Sequence, residues 1–67
     1  MAWAEKLENG DHEIGTNDSE DFEKMITILR KTKNLGQIDY GGFKFWIKGD
    51  IDQIRGELGG EGVPLNV

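Results

Sequence analysis

The sequence predicts a small α+β fold: an antiparallel sheet with two helices packed on one face, in the order ββαββα around an αββα core. Three observations carry this expectation. Phe22, Met25, Ile26 and Leu29 recur at the spacing of one helical stripe. Two alternating runs meet at Gly41-Gly42, as in a hairpin. A second helical pattern follows Asp50, with Ile51, Ile54 and Leu58 on one side. A chain of 67 residues allows one domain with a small core. Residues 1–58 are expected to form that single compact α+β domain and residues 59–67 a flexible C-terminal tail.

The N-terminal run "AWAEKLENGDHEI" reads as a hairpin turning at Asn9-Gly10. That turn pairs Leu7 with His12 and Lys6 with Glu13, and gathers Trp3, Leu7, His12 and Ile14 on one face. The alternative is a short helix that joins Trp3 to Leu7 at i, i+4. The next segment has good N-caps in Asn17, Asp18 and Ser19, and Asn17 with Glu20 has the spacing of a capping box. Lys31, Lys33, Asn34 and Gly36 make its stop.

In "QIDYGGFKFWIKGD" a two-residue glycine turn would pair Tyr40 with Phe43, Asp39 with Lys44, Ile38 with Phe45 and Gln37 with Trp46. One face then collects Ile38, Tyr40, Phe43, Phe45 and Ile47, which is core. The other collects Gln37, Asp39, Lys44, Trp46 and Lys48, polar except for the indole, with Asp39 and Lys44 opposed as a favourable pair. Asp50 caps the second helix with Gln53 at its third position, and Gly59-Gly60 ends it. Gly56 within it costs about 1 kcal/mol relative to Ala, so it marks either a weak spot or a close contact. In the tail, Val63, Leu65 and Val67 alternate like a strand that can dock on a sheet edge. Such an apolar end also suits capture by a peptide-binding pocket.

Charge is distributed in blocks. The formal net charge of −5 divides into −7 over residues 1–23, +5 over residues 24–48 and −3 over residues 49–67. Acids at the start of the central helix and bases at its end follow the macrodipole. The same blocks provide a long-range field toward a charged partner.

The residue inventory argues against an enzyme. The chain has no Cys, one Ser and one His, which removes disulfides and thiolate zinc sites and leaves no nucleophile with a base and an orienting group. Ser19 reads as a helix cap. His12, beside Glu8, Asp11 and Glu13, reads as a solvated or core-edge residue rather than a metal ligand. "YGGFKFW" has neither the spacing nor the following helix of a phosphate loop. No catalytic residue, cofactor or metal is therefore expected. No apolar run approaches the ~18 residues of a membrane span, and "MAWAEKLENG" lacks a basic flank followed by an apolar run, so a cytoplasmic location is expected.

Two family likenesses bear on function. "GFKFWI" resembles the RNP1 strand of RNA-recognition motifs in Gly42, Phe43 and Phe45 with the neighbouring Lys44 and Lys48. It implies single-stranded nucleic-acid binding through the 37–48 hairpin, which the overall acidity opposes. The order helix, hairpin, helix and tail over residues 20–67 is similar to the short W-type head-completion proteins of tailed phages, with "GQIDYGGFKFWIKG" as the hairpin and Asp50, Ile51, Ile54 and Leu58 in the second helix. That likeness implies a role in virion assembly and assigns no functional residue.

The reading that joins these features is a small acidic, non-enzymatic protein-binding module, an adaptor or a blocking inhibitor. Its expected contact residues are an exposed Trp46 flanked by Lys44 and Lys48, with Asp39, and the acids Glu20, Asp21 and Glu23. The expected partner is another protein with a basic surface, with the N-terminal segment or a second copy of the chain as the alternative cover for Trp46.

Overall fold

Strand and helix follow the expected order, with one strand added at the end. The computed structural model describes residues 1–66. Its elements are β1 (Ala2–Lys6), β2 (His12–Thr16), α1 (Ser19–Thr32), β3 (Leu35–Asp39), β4 (Lys44–Ile47), α2 (Ile51–Gly60) and β5 (Leu65–Asn66). They form a single sheet in the order β3-β4-β2-β1-β5. Neighbouring strands run antiparallel except β1 and β5, which are parallel, so the sheet is mixed.

In α1 the stripe behaves as its spacing requires: Phe22, Met25, Ile26 and Leu29 are buried. The cap is Asp18 rather than Asn17, with Asp18 Oδ1 accepting from the Glu20 N–H at 2.8 Å. Asp18 holds the extended backbone that an N-cap needs, one residue beyond the expected capping box. At the other end Lys33 adopts φ 62°, its N–H reaching Arg30 O and the Asn34 N–H reaching Leu29 O. This paired closure is the Schellman arrangement, here built on a lysine instead of a glycine.

The first hairpin forms, but its turn is one residue longer than expected. The Leu7 N–H donates to Asp11 O at 2.7 Å and the Gly10 N–H to Leu7 O at 3.0 Å, so the loop is Glu8-Asn9-Gly10. Gly10 takes φ 93°, as the last residue of a three-residue turn with a bulge does. Asn9 Oδ1 supports it by accepting from the Asp11 N–H at 3.0 Å. The pairs become Lys6 with His12, Glu5 with Glu13, Ala4 with Ile14 and Trp3 with Gly15. One extra residue exchanges the faces of β1. Ala2 and Ala4 turn inward, and Trp3 leaves the face where it was expected.

In the second hairpin the Asp39–Lys44 and Ile38–Phe45 pairs hold. Tyr40 and Phe43 do not pair as strand residues; with Gly41 and Gly42 they form a four-residue loop. Positive φ falls on Phe43, at 51°, instead of on the glycines. The Asp39 carboxylate supports this longer loop by accepting from the Gly42 N–H at 3.2 Å. Further along, a bulge between Leu35 and Ile38 replaces the expected Gln37–Trp46 step, so Leu35 meets Ile47. Asn34 closes the far end: its carbonyl accepts from the Lys48 N–H and its side-chain amide donates to Lys48 O, each at 2.7 Å.

The residues expected to be a flexible tail are part of the packed body. Helix α2 ends at Gly60, at the Gly59-Gly60 stop, and β5 pairs Leu65 and Asn66 with Ala2 and Trp3. Val63 and Leu65 are buried in the core with Ile54 and Leu58. Their apolar alternation explains the difference, because each buried aliphatic side chain contributes about 1.5–3 kcal/mol toward ordering the segment. The expectation for Val67 lies outside the described residues.

One core joins every element. Ala2, Ile14, Phe45 and Ile47 line the inner face of the sheet, against α1 through Phe22, Met25, Ile26 and Leu29 and α2 through Ile54 and Leu58. Phe22 sits at its centre, with ring centroids 5.3 Å from Phe43 and 5.9 Å from Phe45. Buried Thr16 donates to Met1 O at 2.7 Å and accepts from the Asp18 N–H, tying the residue before β1 to the start of α1. The helices thus cover one face of the sheet. The opposite face carries no helix.

Candidate functional site: the open face of the sheet

The register places two cross-strand rows on the helix-free face. Trp3, Gly15, Lys44 and Asp39 follow one another from β1 to β3, and beside them stand Glu5, Glu13 and Trp46. These positions alternate with the buried Ala2, Ile14 and Phe45 on the same strands.

Trp46 is 47% exposed and its position is defined by a hydrogen bond. Its indole Nε1 donates to Glu13 Oε2 at 3.1 Å, across the β2–β4 step that makes them direct neighbours. Around them lies a groove of about 340 Å³ lined by Glu13, Gln37, Asp39, Lys44 and Trp46, with Ile38 and Phe45 in its floor. The face carries Glu5, Glu13 and Asp39 against Lys44 and, at its end, Lys48, an acidic balance in keeping with the whole chain.

Trp3 lies 38% exposed on the same face. A Cβ added at Gly15 would stand 2.9 Å from its Nε1 and 3.0 Å from Cε2, so the indole lies directly over the Gly15 backbone. An aromatic covering a cross-strand glycine compensates for the packing that glycine cannot supply.

The expected contact residues fall into three places. Trp46, Lys44 and Asp39 meet at the groove. Glu20, Asp21 and Glu23 belong to α1, in the helical layer across the sheet, where Asp21 Oδ2 is 3.5 Å from the Met1 ammonium. Lys48 is exposed just past β4, at the end closed by Asn34. The expected Asp39–Lys44 ion pair does not form, since the recorded ion pairs among the described residues are Met1–Asp21 and Arg55–Asp52. Asp39 instead turns its carboxylate to the Gly42 N–H. Reading the sequence missed Glu13 and Trp3. The pairing of a strand glycine with an aromatic on the neighbouring strand was the available signal.

Phe43 and Phe45, which carry the likeness to RNP1, pack against Phe22. Trp46 is therefore the aromatic of this hairpin on the open face. His12 is half-buried at the start of the central strand β2, between Lys6 and Ile47. Among the described residues no cluster of His or carboxylates has metal-site geometry, and no helix is long and apolar enough to cross a membrane.

Fold and site together define a two-layer α+β domain with an uncovered, tryptophan-bearing sheet face. In comparisons with known proteins the chain matches no family model, no curated protein and no solved structure.

Proposed function

We propose that the protein is a non-enzymatic protein-binding module that docks through the open face of its sheet, as an adaptor or as a blocker of its partner. The observation that carries this reading is Trp46, a large side chain left half-exposed yet fixed by Glu13 in a groove. Tryptophan is favoured at binding hot spots because it offers much contact area with little rotamer entropy to lose. A ring held in place beforehand loses less still on binding. Trp3 extends the apolar area of the same face. The acids of α1 lie in the other layer, where they add to the long-range field without touching a ligand on this face.

The test compares wild type with Trp46→Ala in a pull-down from the source cells, with thermal melting of both proteins. Loss of a partner, with stability lowered by no more than about 1 kcal/mol, supports a contact site. A loss of about 3 kcal/mol would make Trp46 a core residue, and retention of every partner would remove the open face from the reading. Sedimentation of both proteins shows whether a second copy is the partner.

A further inference from the structure

We infer that the groove over Trp46 receives the guanidinium of an arginine from a basic segment of the partner; this rests on the docking reading above and deepens it. Glu13 lies on β2 and Asp39 on β3, one on either side of β4, which carries Trp46 and Lys44. Two strand spacings and a two-residue offset along the strands put the two backbones about 12 Å apart. A planar cation stacked on the indole fits between carboxylates at that separation.

The hydrogen bonding fits the same occupant. Glu13 uses Oε2 to hold Trp46, and Asp39 uses Oδ1 on its own loop. Among the described residues, Glu13 Oε1 and Asp39 Oδ2 have no hydrogen-bond donor, and neither carboxylate pairs with Lys44. The groove thus offers one aromatic surface and two free acceptors. Guanidinium answers all three, because it stacks on aromatic faces and presents several N–H groups in one plane, whereas an ammonium is a compact, strongly hydrated charge.

Charge decides among occupants. Phosphates meet Glu13 and Asp39 against Lys44 in the lining of the groove, and a second copy brings the same acids against themselves. A basic segment is the complementary choice. Lys44 is then a like charge beside the bound guanidinium, which fixes the sign of its substitution.

The test uses a Trp3→Phe background, so that Trp46 is the reporting tryptophan. It is titrated at low salt with capped peptides of alternating arginine and glycine, lysine and glycine, or glutamate and glycine, and with oligothymidylate. The arginine peptide is expected to saturate a change in Trp46 fluorescence and to bind more tightly than the lysine peptide. Glu13→Gln, which keeps an acceptor for Nε1 but removes the charge, weakens it about tenfold. Lys44→Gln tightens it about two- to threefold, and Glu20→Gln with Glu23→Gln, which alter only the long-range field, weaken it less than about twofold.

No response to the arginine peptide, indifference to Glu13→Gln, or weakening by Lys44→Gln overturns the inference. Tighter binding of oligothymidylate, or a Trp46-dependent dimer that excludes the peptide, overturns it in favour of nucleic acid or a second copy. A partner captured through Trp46 but not displaced by the arginine peptide refutes the arginine assignment and leaves the docking reading intact. Arginine binding with Glu13 dependence, but no Trp46-dependent partner, does the reverse.

Discussion

Replacing Gly56 by alanine is expected to stabilise the protein by about 1 kcal/mol. The residue lies in the interior of α2 and is exposed, and a Cβ built there meets nothing within 4 Å. Its φ is not among the positive ones. Glycine in such a position loses more backbone entropy on folding than alanine and gives no contact in return. The full propensity difference, about 1 kcal/mol, is therefore available. For a chain of this length the whole folding free energy is roughly 3–10 kcal/mol, so the gain is a sizeable fraction and raises Tm by about 4–8 °C. Circular dichroism with thermal and urea unfolding measures it. The urea midpoint moves up with the slope unchanged, because no surface is added to what unfolding exposes. Since the new methyl has no neighbour to clash with, an unchanged or lowered Tm would mean that residue 56 is not helical in solution.

Three further outcomes follow from local geometry. Lys33→Gly relieves a left-handed lysine at the end of α1 and raises stability by about 0.5–1 kcal/mol in the same melts, since αL costs a residue with a Cβ about 1–2 kcal/mol and glycine's larger unfolded-state entropy returns part of that. Asp18→Ala removes the acceptor that caps the Glu20 N–H and costs about 1 kcal/mol, whereas Asn17→Ala leaves the melt unchanged. Gly15→Val displaces Trp3, which would stand 2.9 Å from the added carbon. A double-mutant cycle with Trp3→Ala gives a coupling of about 1 kcal/mol or more, and Gly15→Val changes from destabilising to stabilising once the indole is gone.

How much of this fold was legible depended on the parity of each turn. In the second hairpin the loop is two residues longer than "GG" suggests. An even change leaves every side chain on its expected face, so Phe45 and Ile47 are inside and Trp46 is outside. In the first hairpin the loop is longer by one residue. Since strand side chains alternate, an odd change exchanges the faces of one strand, and Trp3 moves from the face it was expected to share with Ile14 to the open face. "Asn-Gly" favours both a two-residue turn and a three-residue turn ending in a left-handed glycine. The local sequence cannot choose between them. What chooses is the sheet: Gly15 leaves room for an indole and Ala2 and Ala4 fit under the helices, a long-range condition invisible to a window around the turn. The groove had the same character, since Glu13 and Trp46 are 33 residues apart and meet only through β2–β4 pairing. Helices were easier to place because their caps and stripes are local: Asp18 was among the candidate N-caps, and only the capping box on Asn17 was off by a single residue.

The same distribution of contacts makes stability uneven across the molecule. The candidate site rests on β2, β4 and β3, backed by α1 through Phe22, Met25 and Leu29, and its strands sit at the centre and one side of the sheet. By contrast, α2 contains Gly56, Gly59 and Gly60, none with a neighbour within 4 Å of an added Cβ, and β5 contributes a two-residue parallel pairing at the other edge. Its hold on the body is the burial of Ile54, Leu58, Val63 and Leu65. Local opening follows the least supported unit, so amides of α2 and β5 are expected to exchange faster than those of β2, β4 and α1. Opening of β5 uncovers the edge of β1 beside Trp3 while leaving the Glu13–Trp46 bond in place. Gly56→Ala should then slow exchange in α2 and β5 without changing Trp46 fluorescence. Uniform protection across the sheet and both helices would contradict this account and require α2 and β5 to unfold only with the whole domain.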